Sequence, residues 1–385
     1  MKTNLLQKNI PEGWEIKKIK DLLDFEQPTK YIVESSSYTP DGKTPVLTAN
    51  KSFVLGYTNE TDGVHKNIPV IIFDDFTTDS KYVDFPFKVK SSAIKILTNR
   101  DKNTNLKFVY EIMKSFTFPI ANHKRHYISQ YQELDIVVPL IKEQQKIADI
   151  LASVENQIAK IEDLILSTEK LKTGLVANLL SGQIKSRRIK IAEIAEVTSS
   201  KRVMVKDYVE DGIPFYRSTE IIKRSKNIPI VSPLYISIEK FNEFKNKFGA
   251  PEQGDILVTA VGTIGDIYLV QKGDIFYFKD GNSVWIRKIS KIILSEYLKS
   301  VLASKYYRDK LNLVAGGSSQ KALTIQKLEN VKIPLPSTQE QERIVKVLSS
   351  VDHKIILLKL LKNNLAKLKK GLVSDLLSGK VRTKQ

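Results

Sequence analysis

The side chains with the clearest capacity for chemistry are basic and amide residues that cluster in predicted turns. Arginine and lysine bind phosphate oxygens, and arginine, asparagine and glutamine can each present paired hydrogen-bonding groups to a base edge. Candidates in the first half of the chain are Asn50, Lys51, Tyr57, Lys81, Asn122, His123, Lys124 and Arg125. Candidates in the second half are Arg217, Ser218, Lys223, Arg224, Thr263, Asn282, Ser318, Ser319, Gln320 and Lys321. A solvated surface charge is the alternative interpretation of any single lysine among them.

Motifs typical of catalytic sites fail on spacing or context. Gly42–Thr44 is similar to the end of a phosphate-binding loop, but Ser37 stands where the first glycine belongs. His123 and His126 could bind a metal, but no carboxylate frames them. Gly262–Gly265 has the spacing of an RNA-clamping loop, although a hairpin turn explains it better. We therefore expect no catalytic residue, no metal site and no cofactor bound by this chain.

The basic composition favours a polyanionic partner, and the codon bias of a genome or attachment to a membrane surface are the alternative explanations. The 385 residues include 61 Lys plus Arg against 43 Asp plus Glu, a formal charge of +18, and basic side chains release counterions from phosphates. Hydrophobic residues make up 42%, enough for folded cores. The absence of cysteine excludes disulfides and thiolate metal sites. With no secretory signal and no run of about 20 apolar residues, we expect a cytoplasmic protein.

A repeated segment must position these side chains. Residues 142–184 and 339–381 align without a gap and are identical at 18 of 43 positions, including Glu-Gln near the start and GLV..LLSG near the end. Each copy follows a strand that a proline ends, and each closes on a Ser-Gly pair typical of a helix terminus. About 40 residues at 1.5 Å each predict two helices of roughly 60 Å.

Both copies carry a heptad-like apolar seam, which needs another helix to cover it. The residues expected to pack the two helices together are Ile147, Leu151, Val154, Ile158, Ile161, Ile344, Leu348, Val351, Ile355 and Leu358. The seam is expected to continue through Ile165, Thr168, Leu171, Leu175, Leu361, Leu365, Leu368 and Leu372. A coiled coil with another chain explains one seam alone, whereas two matching copies favour pairing with each other.

The repeats divide the rest of the chain into two globular regions. Short apolar runs between Gly and Asn/Asp turns predict strand-rich α/β domains, with short helices at 106–114 and 295–311. The regions share only their edges in sequence. The predicted fold class is α+β: two mixed α/β domains separated by two long antiparallel helices, with a pseudo-twofold within one chain. The predicted boundaries are 1–138 and 183–333 for the domains, and 139–182 and 334–385 for the helical regions.

One loop of each domain carries different donors at a similar place. Counted back from the proline that ends the last strand, ANHKRH of the first domain lies opposite GGSSQK of the second. One loop position therefore carries two different sets of hydrogen-bond donors, and such loops can place these donors against phosphates and base edges.

The motifs together resemble the specificity subunits of type I restriction–modification systems. The repeated block EQ..I...L to GL...LLSG carries the resemblance, with GIPFYRSTEI, GDILVTAVGTIG and SSQKALTIQKL in the second domain and LTANKSFVLGYT in the first. It covers essentially the whole chain. The first domain has no GTIG-type turn and no glycine pair at ANHKRH, so its contacts are the least defined.

The resemblance implies the function of each part. In such proteins each domain, a target-recognition domain, reads one half of a split double-stranded DNA target, and the helices set the unread spacer. It also implies partners: two modification (methyltransferase) subunits that bind S-adenosylmethionine, and restriction subunits that supply the ATP- and Mg-dependent motor and nuclease. The chain itself is expected to be non-catalytic and not associated with a membrane.

Two other functions remain open on the sequence alone. The same basic loops suit a stand-alone nucleic-acid-binding regulatory protein without enzyme partners. The seams also suit a coiled-coil scaffold whose charge is incidental.

Overall fold

The structure is a computed structural model that describes residues 10–35, 38–50, 52–116, 118, 125–180, 186–316 and 321–383. It divides into two compact units. The first unit comprises Met1–Glu162 with Leu360–Gln385, and the second comprises Asp163–Lys359. Each unit therefore contains one globular domain and a part of each long helix. No helix in the described residues is long and apolar enough to span a membrane.

The domain of the first unit contains two small sheets and a two-stranded ribbon. Its strands are β1 Glu15–Lys18, β2 Leu23–Glu26, β3 Thr44–Leu47, β4 Val54–Thr58, β5 Val70–Asp74, β6 Ser80–Val83, β7 Lys88–Val89, β8 Ile94–Asn99 and β9 Asp135–Val138. Its helices are α1 Ile19–Leu22 and α2 Leu106–Ser115, and the long α3 Ile141–Leu180 follows the domain. The antiparallel sheet has the order β2-β8-β5-β6, the second sheet β4-β3-β7, and the ribbon β1-β9.

The domain of the second unit repeats this plan. Its strands are β10 Arg187–Lys190, β11 Glu196–Thr198, β12 Tyr208–Val209, β13 Ile213–Tyr216, β14 Leu234–Ile236, β15 Ile256–Thr259, β16 Ile267–Leu269, β17 Tyr277–Phe278, β18 Ser283–Arg287 and β19 Lys332–Leu335. Its helices are α4 Ser218–Ser225, α5 Ile238–Phe248, α6 Ser295–Ala303, α7 Lys305–Ala315 and α8 Ile325–Glu329, and the long α9 Thr338–Leu377 follows the domain. The sheets have the orders β11-β18-β15-β16 and β12-β14-β13-β17, and the ribbon is β10-β19.

The two domains share one strand topology, apart from the additional edge strand β12 of the second, although their interiors scarcely match in sequence. Strands β2-β8-β5-β6 correspond in order to β11-β18-β15-β16, and the parallel pair β3-β7 corresponds to β13-β17. Likeness was expected only at the domain edges, and this is corrected: the buried central strands β5 and β8 have counterparts in β15 and β18, although their residues differ. The predicted fold class, two mixed α/β domains with a pair of long helices, is confirmed.

The long helices pack antiparallel within each unit. In the first unit, ion pairs join Glu155 to Lys369 and Glu162 to Lys362. In the second unit, ion pairs join Lys172 to Asp352 and Lys359 to Glu169. In both units a rising number on one helix meets a falling number on the other, which defines the antiparallel direction.

The apolar seam is buried over only part of its length. Ile147, Leu151, Val154, Ile161, Ile344, Leu348 and Ile355 are buried, and Ile158, Val351 and Leu358 are half-buried. The expected extension is wrong at Leu171, Leu361 and Leu368, which are 56%, 48% and 52% exposed. The buried ends of the seam pack against the domains as well as the other helix: the cluster of Ile147 and Leu151 includes residues of α2 and the end of α9.

The single helix expected over 295–311 is two helices. Ser304 between α6 and α7 has extended backbone angles (φ −63°, ψ 149°), and its hydroxyl caps α7 by accepting a hydrogen bond from Tyr307 N. Serine competes well for this capping position because its oxygen satisfies an amide that the helix leaves free. The buried Tyr297 and Leu311 lie on either side of the break and belong to one core cluster.

Candidate nucleic-acid interface

In the second domain, four of the candidate residues lie at one end of the sheet β11-β18-β15-β16. Ser218 begins α4, and its hydroxyl donates to the backbone oxygen of Asn282, which precedes β18 (3.2 Å). The same oxygen accepts from the amide of Ala260 at the end of β15. Thr263 lies in the hairpin turn between β15 and β16, and Lys321 precedes a bridge between Val261 and Ala322. Thr263 and Lys321 are exposed, so this end of the sheet presents a hydroxyl and an ammonium group to solvent.

The turn that contains Thr263 is a hairpin, as the sequence predicts. Gly262 and Gly265 have φ values of +74° and +85°, a region that side chains disfavour. The Thr259 hydroxyl donates to Thr263 O (2.6 Å) and accepts from the amide of Asp266. These bonds fix the turn from beneath and leave the Thr263 side chain free to contact a ligand.

The two arginine candidates near α4 are engaged by carboxylates. Arg217 donates through both Nε and Nη2 to Glu220, and the hydrogen bonds to Glu220 raise the pKa of Arg217. Arg224 donates to the Tyr268 hydroxyl and to Asp274. Arg217 remains exposed, but the Arg224 side chain is only 34% exposed. Arg224 is therefore placed to support the loop around Asp274, whereas Arg217 and the half-buried Lys223 on α4 remain accessible.

In the first domain, the candidates are spread over separate elements. Asn50 is exposed in the turn between β3 and β4, where its backbone oxygen accepts from Phe53 N. Tyr57 lies on β4 of the second sheet and Lys81 on β6, an edge of the four-stranded sheet. Arg125 is exposed. It lies beside the end of β5, because the amide of the next residue, His126, donates to Asp75 O. Lys51, Asn122, His123, Lys124, Ser318, Ser319 and Gln320 lie outside the described residues.

The correspondence between the two variable loops shifts by two residues. His126 N donates to Asp75 O after β5, and Leu323 N donates to Ala260 O after β15, so His126 is equivalent to Leu323. The expected pairing of His126 with Lys321, which follows from aligning Pro139 with Pro334, is wrong. Pro139 corresponds to Pro336, the proline that ends the equivalent strand β19 and precedes α9.

A buried ion pair supports the loop of the first domain. Lys95 and Asp75 side chains are each 1% exposed and lie 3.3 Å apart. Lys95 Nζ also donates to Gln27, and Asp75 accepts from the amide of Tyr127. A buried charge needs such partners, and here they hold the chain segment directly after the variable loop.

Two glutamines that the sequence analysis did not single out tie each domain to its long helix. Gln144 on α3 accepts from the amide of Asn105, the N-cap of α2, at 2.8 Å. Gln341 on α9 accepts from the amide of Leu294, the N-cap of α6, also at 2.8 Å. The identical Glu-Gln pair at the start of both repeats was the signal that could have found them.

Glu155 on α3 and Asp352 on α9 occupy equivalent positions of the two repeats, and each forms ion pairs with the other long helix. Glu155 on α3 meets Lys107 and Lys114 from α2 and Lys369 from α9. Burial alone would raise the pKa of Glu155, but hydrogen bonds from Lys369 and Lys114 outweigh it and lower the pKa to about 2. Asp352 is the repeat-equivalent residue on α9, and it pairs with Lys172 at 2.5 Å.

No group of three His, Asp or Glu side chains converges as a metal site among the residues that the structure describes. The site is instead made of exposed hydroxyl, amide and ammonium groups at sheet ends, on a chain with a formal charge of +18. Such groups form hydrogen bonds to phosphates and base edges. In the second domain these groups lie together at one end of a sheet, whereas in the first domain the described ones lie on separate elements.

The chain belongs to the family of type I restriction modification DNA specificity domains. The family model matches residues 11–168 and 185–367, one match for each domain with most of the helix that follows it. The family expected from the repeated block is thereby confirmed.

Similar proteins agree with this assignment. The specificity subunit of the Escherichia coli type I restriction enzyme EcoR124I/EcoR124II is 30% identical over 355 residues, covering 86% of this chain and 85% of the relative. A putative type I specificity subunit of Haemophilus influenzae is 27% identical over 336 residues, with 82% of each chain covered. The crystal structure of a type I S subunit from M. genitalium shares the fold at a TM-score of 0.64, with 19% identity and 99% and 98% of the two chains covered.

Proposed function

We propose that this chain is the DNA-reading subunit of a type I restriction–modification complex, in which each domain reads one half of a bipartite target and the paired helices set the spacer. The observation that carries the proposal is the repetition of one strand topology in two domains with different loop residues, each joined to a copy of the same helix. The shared topology supports a common way of docking on DNA, and the different loops support different half-sites.

The chain would act by recognition alone. Its relatives are specificity subunits of restriction enzymes, and methylation requires a base to be extruded into an active site that a partner provides. Two modification subunits would bind S-adenosylmethionine, and restriction subunits would use ATP and Mg. Joining two readers raises the effective concentration of the second half-site, so that two modest contacts become one selective interaction.

The test is to purify the chain with its modification subunits, methylate genomic DNA and map the modified bases by sequencing. The expected result is one target made of two short defined sequences separated by a spacer of fixed length. A single contiguous motif, or methylation without sequence preference, contradicts the proposal. Complexes that lack the chain are the control, and they are expected to leave the same DNA unmodified.

A further inference from the structure

Gln144 and Gln341 make the same set of bonds in the two units. The side-chain amide of Gln144 donates to Pro139 O at 2.9 Å and to Asn103 O at 3.0 Å. The side-chain amide of Gln341 donates to Pro336 O and to Ile292 O, each at 3.0 Å. Each glutamine thus joins the end of the ribbon, the loop after the four-stranded sheet, and the start of a domain helix.

Burial makes these bonds difficult to replace by water. Gln144 is 1% exposed and Gln341 is 0% exposed. A buried polar group that loses its partner incurs the full desolvation cost, whereas a satisfied one is held in a single geometry. An amide is suited to this place because it combines one acceptor oxygen with two donor hydrogens. Glutamate would lack the donors, and leucine would satisfy none of the three backbone groups.

The position of each glutamine allows it to set the angle between a domain and its long helix. Each lies on the first turn of a long helix, and its acceptor oxygen holds the amide of an N-cap, Asn105 or Leu294, on the domain. Apolar packing between a domain and a helix is non-directional, whereas three hydrogen bonds from one side chain define an angle. The same three hydrogen bonds occur at both glutamines, so this joint between a domain and its long helix is part of the structure that the two repeats share.

We propose that Gln144 and Gln341 are positioning residues that fix the angle of each reading domain on its long helix and thereby restrict the spacer length that the protein accepts. This inference rests on the proposed function. The two residues are buried and are not expected to touch DNA. They act through the domains that they hold, and Gln144 acts on the first domain while Gln341 acts on the second.

The test compares Gln144→Leu and Gln341→Leu with control substitutions of the same kind. Gln157→Leu on α3 and Gln339→Leu on α9 change exposed glutamines of the same helices. Each variant is assembled with the modification subunits and given a DNA library in which the two half-sites are separated by spacers of varied length. We expect both half-site sequences to be unchanged in all variants. Methylation at neighbouring spacer lengths, relative to the native spacer, is expected to rise roughly tenfold in the two buried variants only.

Hydrogen exchange provides an independent measurement of the joint itself. Asn105 and Leu294 amides are expected to exchange faster in the variant that removes their acceptor, and at the native rate in the controls. If the native complex methylates no bipartite target, the proposed function fails, and exchange at these two amides still tests the joint.

Two results overturn the inference. One is a variant that assembles and methylates with an unchanged spacer distribution. The other is loss of folding in both the leucine variants and the methionine variants Gln144→Met and Gln341→Met, which retain an unbranched side chain. That outcome assigns the bonds to the fold itself rather than to orientation.

Discussion

Replacing Glu155 with glutamine should destabilise the first unit by an amount that depends on pH. The pKa of Glu155 is lowered from 4.5 to about 2 by its lysine partners, and a difference of about 2.5 units corresponds to about 3 kcal/mol. Because the folded-state pKa is the lower one, this stability is present above about pH 4.5 and is lost as the pH falls through about 2. Glu155→Gln is therefore expected to lose up to about 3 kcal/mol at neutral pH, and the deficit should disappear near pH 2.

The chain's two tryptophans allow each unit to be followed separately. Trp14 lies in the first unit and Trp285 in the second, so fluorine NMR of fluorotryptophan-labelled protein gives one resonance for each during urea unfolding. The control is Glu162→Gln, which breaks the more exposed Glu162–Lys362 pair (side chains 48% and 39% exposed). Such a pair contributes about 1 kcal/mol or less. Equal losses in the two variants, or a loss in Glu155→Gln that does not change with pH, would show that the lysines around Glu155 do not stabilise its charged form.

Three further predictions concern the core, a helix cap and the long helices. Lys95→Met leaves Asp75 buried without its cation and should destabilise the first unit by roughly 3–5 kcal/mol in the same Trp14 experiment. Ser304→Ala removes the N-cap of α7 and should cost about 1 kcal/mol, read from the Trp285 resonance. The third change inserts about seven residues after Thr168 and about seven at the facing position, after residue 355. The helix pair should then be about 10 Å longer. Methylome sequencing should show a spacer that is longer by about three base pairs. An unchanged spacer contradicts the ruler role of the helices.

The sequence predicted the elements that follow from a regular spacing of apolar residues and from the prolines and turn residues that end them. Both forty-residue helices follow from the duplicated seam and the proline before it, and β5 and β15 follow from short apolar runs between turn residues. The break at Ser304 was missed because serine is tolerated within helices as well as at caps, so only the tertiary packing of Tyr297 and Leu311 decides between them.

The site was less predictable than the fold because its geometry depends on contacts between distant segments. Nothing local reveals that Asp274 engages Arg224, fifty positions away along the chain, or that Gln341 reaches the amide of Leu294. The shared topology of the two domains was hidden for the same reason, since strand order depends on which buried faces meet rather than on identical residues.

A chain with two copies of the second domain would show whether each domain reads its half of the target by itself. In it, the second domain, residues 186–336, replaces the first, up to Pro139, at the equivalent prolines that precede the long helices. If each domain reads DNA independently, the assembled modification complex should methylate a target made of two copies of one native half-site, and should no longer modify the native target. Methylation that retains the first native half-site, or that follows an unrelated sequence, would contradict the claim.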